Sequence, residues 1–353
     1  MKFYWKVPAE ITSRTQFYFT APVVSYMLKV SQKWCQITCR WTSTRPTSRR
    51  LPIVHHDDYV CTLPPKHRFP MSKFTKVYNH LLQDGVIQPD QVAVPTLVTM
   101  ETAASVHTTD YVDKFFSGKT SEKEQRRTGF AWTEGLVRRC RMETGGTVLA
   151  AHMALSRGLA CSTAGGTHHA YPNFGSGFCL LNDLAVAARQ VQLIGKASRI
   201  LILDLDVHQG DGTAFIFQND SSVFTFSVHC GKNFPFRKEK SDLDISVQPK
   251  LRDKEYLLIV KEQLPWILES FRPDLVLYDA GVDPHKNDDL GMLSLTDQGL
   301  HDRDYWVIDH ITSRGIPCAC VIGGGYSKDI GVLAMRHTIV HRAATKVWEE
   351  RRL

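Results

Sequence analysis

From Leu51 onward, short apolar runs alternate with longer stretches in which apolar residues recur every three or four positions. The short runs predict strands at Arg199–Val207, Ser222–Val228, Asp274–Tyr278 and Cys318–Ile322. The longer stretches predict helices over Ser72–Gln83, Gly146–Ser156, Asn182–Leu193, Glu255–Ser270 and Asp297–Thr312, and a last one from about Ile330 to Glu350. Strand and helix in alternation predict an α/β fold with a mainly parallel central sheet and helices on both faces. Neither an internal repeat nor a low-complexity linker interrupts residues 51–353, so the expectation is a single domain.

Polar residues collect just past the carboxyl ends of the predicted strands, the edge where open α/β sheets bind ligands. The richest run is Ile200-Leu201-Ile202-Leu203-Asp204-Leu205-Asp206-Val207-His208, continuing Gln209-Gly210-Asp211-Gly212. In an extended chain Asp204, Asp206 and His208 project to one side, and Leu203, Leu205 and Val207 to the other. Two carboxylates and an imidazole on an apolar strand would cost several kcal/mol unless a cation or dense hydrogen bonding compensates them. Asp206 and His208 can supply a carboxylate and an imidazole, and Asp283 in Asp279-Ala280-Gly281-Val282-Asp283-Pro284-His285 a second carboxylate. Three protein ligands leave a position open for water, as catalytic zinc requires. The structural alternative is that Asp206 and His208 simply pair with each other at a strand end.

Two further clusters bear on chemistry. Gly165-Gly166-Thr167-His168-His169-Ala170 sets adjacent imidazoles in a glycine-bounded loop, followed by Gly175-Ser176-Gly177-Phe178-Cys179. Histidine titrates near neutrality, and a neighbouring carboxylate can orient its ring and set its basicity. Such a pair taken alone is more often a surface or core feature. Gly323-Gly324-Gly325-Tyr326 lets the backbone turn tightly and can aim a hydroxyl at a developing oxyanion. It lacks the spacing of a nucleotide-binding loop.

Composition narrows the setting. The 353 residues carry a formal charge of +7, from 43 Lys/Arg and 36 Asp/Glu. Residues 1–50 hold nine of those bases and one acid, leaving a nearly balanced 34 and 35 for 51–353. The basicity thus belongs to an N-terminal extension and gives no reason to expect nucleic-acid binding by the rest. That extension, poor in acids and rich in Ser, Thr and aromatics, is expected to be disordered, with an organelle transit peptide as the alternative. Its apolar stretch is too short to span a bilayer, and no membrane span is expected elsewhere. Nine cysteines without a Cys-x-x-Cys pair point to a reducing, intracellular setting. Cys35 and Cys39 have a spacing usable by structural zinc, but no second pair follows.

Taken together and in order, Gly-Gly-x-His-His-Ala, Gly-Ser-Gly-Phe-Cys with Asn182-Asp183, Asp-Leu-Asp-Val-His-Gln-Gly-Asp-Gly, Ala-Gly-Val-Asp and Gly-Gly-Gly-Tyr resemble the histone deacetylase family. The resemblance runs from about Leu51 to the C-terminus. It is most similar to the class IV and bacterial-type branches, through His67-Arg68-Phe69-Pro70-Met71 and Asp289-Leu290-Gly291-x-Leu293. It implies the arginase/deacetylase-like fold, with zinc on Asp206, His208 and Asp283 and with His168 and His169 as catalytic imidazoles. Asp204 and Asp211 would be the partners of His168 and His169, and Tyr326 would bond the substrate carbonyl. It also implies potassium or another monovalent cation on Asp204, Ser227 and the backbone of Asp206 and His208. Gly177, Phe178 and Phe234 would wall an acyl-lysine tunnel.

The implied activity is zinc-dependent hydrolysis of N6-acetyl-lysine in histones or other proteins, with zinc-bound water as nucleophile. Corepressor-type partners and a role in chromatin and transcription would follow in the nucleus or cytoplasm, or else a mitochondrial or plastid setting if the extension is a transit peptide. Alternatives are a longer-chain lysine deacylase, an acetylpolyamine or other small-molecule amidohydrolase of the same fold, and an inactive scaffold. A two-metal arginase-type site is disfavoured, because Gly210 and His285 stand where it would want carboxylates. Some branches carry histidine at the position of Gln209, and the segment after Asp283 differs from the nuclear class I type. The residues that would select acyl group and substrate fall in the less recognisable stretch 56–135.

Overall fold

The computed structural model describes residues 48–353. The basic extension, its transit-peptide reading and the Cys35–Cys39 spacing concern residues that lie outside the described ones, save for the last three positions of the extension. Strands β1 (Ile53–Val54), β2 (Val92–Ala93), β3 (Leu159–Ser162), β4 (Ile200–Asp204), β5 (Val223–Cys230), β6 (Leu243–Val247), β7 (Leu275–Asp279) and β8 (Cys318–Val321) form one sheet. Its order is β2-β1-β3-β8-β7-β4-β5-β6, and every pairing is parallel.

All five residues of β4 and of β7 are buried. Unbroken apolar runs of this kind arise when helices cover both faces of a sheet, so that no face is left to alternate. The helices are α1 (Lys73–Gln83), α2 (Met100–Ala103), α3 (Thr109–Phe116), α4 (Glu122–Thr128), α5 (Glu134–Arg157), α6 (Asp183–Leu193), α7 (Asp211–Phe217), α8 (Asp253–Phe271), α9 (Asp297–Thr312) and α10 (Ile330–Arg351). On α1 the buried Phe74, Val77 and Leu81 recur at helical spacing, which turns one face to the core. Side-chain caps fix several starts: Asn182 accepts from Ala185 N, Thr296 from Gly299 N and Asp329 from Val332 N. No helix of the described residues is long and apolar enough to cross a membrane. Their seven cysteines are free, and all but Cys61 are buried.

Two expectations change. The helix expected from Gly146 begins twelve residues earlier at Glu134, capped by Thr133, and runs through Gly145-Gly146. Those glycines allow close packing inside the helix: a Cβ at Gly145 would strike the Thr96 carbonyl, and one at Gly146 the Tyr59 hydroxyl. The strand expected to reach Val207 ends at Asp204, so Asp206 and His208 stand on the turn beyond it rather than on the strand. Arg303, fully buried on α9, explains that turn. Its guanidinium donates to the carbonyls of Leu205 (3.1 Å) and Ala280 (3.2 Å), just past β4 and β7, and pairs with Asp304 at 2.8 Å.

The strand order places the carboxyl ends of β3, β8, β7, β4 and β5 side by side. In register, Asp204 lies between Ser227 on β5 and Asp279 on β7. The loops after these strands therefore open onto one crevice, as expected where the chain order jumps within an open sheet.

Candidate metal centre and active site

The loop after β3 is held by the residues that begin α6. Asp183, fully buried, accepts from Gly166 N (3.0 Å), Thr167 N (2.7 Å), Thr167 Oγ1 (2.6 Å) and Thr147 Oγ1 (2.5 Å). Asn182 donates through Nδ2 to the carbonyls of His168 and Ala170, both at 3.3 Å. Its own backbone N–H donates to His107 Nε2 at 2.9 Å, while His107 Nδ1 donates to the Tyr171 carbonyl at 2.9 Å. This pairing needs neutral His107, and burial lowers its pKa to about 4.

The unfolded chain protonates His107 near its ordinary 6.5, so its contribution to stability is complete above that pH and is lost toward 4. Relative to a His107→Gln variant, the wild type should therefore lose up to about 3 kcal/mol between pH 7 and 4. Urea unfolding of both proteins measures the gap, and a gap independent of pH would contradict neutral His107.

His168 Nδ1 meets Asp204 Oδ2 at 2.7 Å, and His169 Nδ1 meets Asp211 Oδ1 at 2.6 Å. The two Nε2 atoms are 3.1 Å apart. Burial works against charge on both rings. At His168 it is outweighed by Asp204 and Asp206, which hold its pKa well above the usual range. At His169 burial is reinforced by the His168 charge, and the pKa falls to about 4 despite Asp211. One proton arrangement satisfies every contact: protonated His168 donates to Asp204 and to the Nε2 lone pair of neutral His169, which donates to Asp211.

Asp206, His208 and Asp283 bring their ligand atoms within 4.8 Å of one another, all buried. His208 Nδ1 lies 2.9 Å from Asp206 Oδ1 and 3.1 Å from Asp283 Oδ2. The second oxygens are fixed by backbone, Asp206 Oδ2 by Gly324 N at 2.7 Å and Asp283 Oδ1 by Val207 N at 2.8 Å. A Cβ at Gly324 would fall on the oxygens of both carboxylates, which is why the turn after β8 needs glycine there. Burial, then the Asp206 charge, push Asp283 up to about 7, so the site calls for positive charge. One imidazole and two carboxylates around so small a volume fit a divalent cation.

Tyr326 shares this cleft, its ring 6.3 Å from that of His208 and 5.9 Å from that of Phe178. Its backbone is clamped both ways: Tyr326 N donates to Asp288 Oδ2 at 2.7 Å, and Asp289 N donates to the Tyr326 carbonyl at 3.0 Å. Burial, with Asp206 and Asp283, holds the phenol pKa well above 10, so the hydroxyl keeps its proton. Gly177 and Phe178 line the cleft with His168, His169, Asp206, His208 and Tyr326. Phe234 packs edge-on against His169 with ring centres 4.8 Å apart.

The structure thus brings His168, His169, Asp204, Asp206, His208, Asp211, Asp283, Phe178, Phe234 and Tyr326 to one cleft. At the pair expected to hold a monovalent cation it adds detail. Asp204 Oδ2 is engaged by His168 and Oδ1 by Asp206 N at 3.1 Å, while Ser227 Oγ is 2.9 Å from His229 Nδ1. Asp279 joins His168 and Asp204 in a second buried cluster of ligand-type atoms, and neither of its carboxylate oxygens has a hydrogen-bond partner. Burial, then Asp204, hold its pKa well above the carboxylate range.

Sequence reasoning did not single out Asp279, nor Lys73 and Tyr171. The Lys73 ammonium is buried in the cleft floor, 3.3 Å from the Gly323 carbonyl. The Tyr171 hydroxyl donates to Asp211 Oδ2 at 3.1 Å. The position of Asp279, one residue before Ala-Gly-Val-Asp at a strand end, was the available signal.

The fold and this site define a deacetylase-type hydrolase centre, and the family match agrees: the histone deacetylase domain model matches residues 67–341. The chain belongs to the histone deacetylase family. It is 53% identical over 297 residues to an uncharacterized protein of Picosynechococcus, covering 84% of this chain and 99% of that protein. Histone deacetylase 2 of Arabidopsis thaliana is 29% identical over 271 residues, covering 74% of this chain and 70% of its own. The acetoin utilization protein AcuC of Staphylococcus aureus is 30% identical over 289 residues, covering 74% and 73%. The crystal structure of the HDA15 HD domain superposes with a TM-score of 0.70 at 22% identity, over 86% of this chain and 93% of that one, and so shares the fold.

Proposed function

We propose that the chain hydrolyses the acetyl-amide of N6-acetyl-lysine in proteins, using zinc held by Asp206, His208 and Asp283. The observation that carries this reading is the convergence on one cleft of the cation triad, a neutral histidine backed by a carboxylate, and a protonated phenol.

A divalent cation bound there would acidify water and polarise an amide carbonyl. The chain's own groups do the rest. A water presenting its O–H to His169 Nε2 in place of His168 gives up its proton there, because His169 is neutral and Asp211 fixes its Nδ1–H outward from the reaction. The oxygen adds to the carbonyl carbon. Tyr326 donates to the resulting oxyanion, and protonated His168 adds positive charge behind it. When the C–N bond breaks, His169 returns the proton to the leaving lysine nitrogen. The products are the free amine and a carboxylate.

Asp204 orients His168 without belonging to the triad. Asp204→Asn is therefore expected to keep the bound metal while lowering turnover by about 10–100-fold. Metal analysis beside a rate measurement checks this, and equal loss of metal in Asp204→Asn and Asp206→Asn would contradict the division. The function itself is tested by comparing acetyl-lysine peptides with acetylated polyamines. Turnover confined to the polyamines would overturn the protein substrate.

A further inference from the structure

The charges of residues 51–353 nearly cancel, with 34 bases against 35 acids, so a local excess carries information. Such an excess sits on the two loops that continue outward from the cleft walls. On one, the His67 ring stacks on Phe130 at 5.2 Å and meets Phe178 at 6.3 Å, and its exposed neighbours are Lys66 and Arg68. On the other, Phe234 packs on His169, and Lys232 and Arg237 beside it are exposed.

Lys66, Arg68, Lys232 and Arg237 make no ion pair with any described carboxylate; exposed bases elsewhere, such as Lys76 and Lys254, are unpaired too, but these four are gathered on loops that pack against Phe178 and His169 of one cleft. Lys238 is different: its ammonium donates to the Asn233 carbonyl at 2.6 Å and to that of Pro235, and so shapes the loop from inside. Of the two acids on this loop, Asp242 accepts from Thr225 N and Oγ1, both at 2.8 Å, and Glu239 lies 3.2 Å from the Tyr171 hydroxyl. Phe236 is 93% exposed among the free cations. Asp289, exposed and bonded through its N–H to the Tyr326 carbonyl, lies beside this loop, since Asn233 Nδ2 donates to the Leu290 carbonyl at 2.7 Å, and it offsets one of these charges.

An extended peptide delivering an acyl-lysine to the cleft must lay its flanking residues against these loops. We propose that the mouth selects acyl-lysines flanked by aspartate and glutamate, and so acts on acidic protein segments rather than on lysine- and arginine-rich tails. The inference rests on the deacylase reading of the site. Unpaired cations attract acidic flanks and repel basic ones over about 10 Å at 0.1 M salt. Phe236 offers an apolar contact that a flanking aliphatic or aromatic side chain would cover.

The test uses the full-length, metal-loaded protein and three acetyl-lysine peptides that differ only in acidic, neutral or basic flanks. At low salt the acidic peptide should exceed the basic one by about tenfold in kcat/KM, and salt should erase most of that ratio. Lys232→Glu combined with Arg237→Glu should shift the preference toward basic flanks, leaving turnover of a single acetyl-lysine with a neutral reporter unchanged. Fluorescence anisotropy of the same peptides reads the mouth without turnover. Hydrolysis or binding indifferent to flank charge, or favouring basic flanks, overturns the proposal. Acidic peptides that bind preferentially without hydrolysis of any acyl-lysine would instead overturn the proposed function and leave the docking surface standing.

Discussion

Asp206→Asn should abolish metal binding and reduce amide hydrolysis by at least about 10³-fold, since both bond polarisation and the nucleophile depend on the cation. The change is nearly isosteric, so the expected loss is chemical. It removes the charge that meets His208 at 2.9 Å, and it turns one carboxylate oxygen into an N–H donor in a pocket built for acceptors. The Gly324 N–H now on Asp206 Oδ2 at 2.7 Å and the His208 N–H on Oδ1 at 2.9 Å both need an oxygen there. Whichever way the amide turns, one donor faces another, and leaving it unmet costs about 1–3 kcal/mol. Metal content by elemental analysis, thermal unfolding and turnover read the three consequences separately. An Asp206→Asn protein that keeps stoichiometric metal would show that Asp206 is not a ligand.

The second large effect is at Tyr326. Tyr326→Phe removes one hydroxyl and keeps the ring contacts with Phe178 and His208, so the fold and the metal should be retained. The loss of one preorganised oxyanion donor should lower kcat by about 10²–10³-fold, with little change in KM. Burial disfavours the ionised form of the phenol. The deficit should therefore be the same at pH 7 and pH 9. A deficit that disappears at either pH, or that falls on KM instead of kcat, would assign Tyr326 to substrate binding.

Sequence legibility followed chain locality. The triad, the histidine pair and Tyr326 could be singled out because each sits in a short motif at a strand end, whereas the pairing of the histidines with Asp204 and Asp211 came from the family resemblance. The strand order then carried those motifs to one crevice, an arrangement implied by the alternation of strand and helix. What eluded sequence reasoning depends on contacts far apart in the chain. Arg303 looks like one more helical base until its guanidinium is seen on the Leu205 and Ala280 carbonyls, holding the turns that aim Asp206 and Asp283. Lys73 opens a predicted helix, yet its ammonium reaches the carbonyl of Gly323, 250 residues away.

The glycine pair at 145–146 misled for a related reason. Glycine is a poor helix former, but here its small size admits Tyr59 and the Thr96 carbonyl to the helix surface, and packing outweighs propensity. Strand alternation drew attention to Asp206 and His208 but gave the wrong account of their geometry, because β4 stops at Asp204. The charge balance of 51–353 likewise hid the exposed bases at 66–68 and 232–237, whose loops the fold packs against Phe178 and His169 of one cleft.

The central claim is that a cation on Asp206, His208 and Asp283 works with His169 and Tyr326 to cleave an acyl-lysine amide. The direct measurement is to strip metal from the full-length protein with a chelator, confirm its absence by elemental analysis, and titrate zinc back while following release of acetate from an acetyl-lysine peptide. The predicted result is no turnover without metal, and turnover that rises linearly and saturates at one zinc per triad. Undiminished hydrolysis by the metal-free protein would contradict the account.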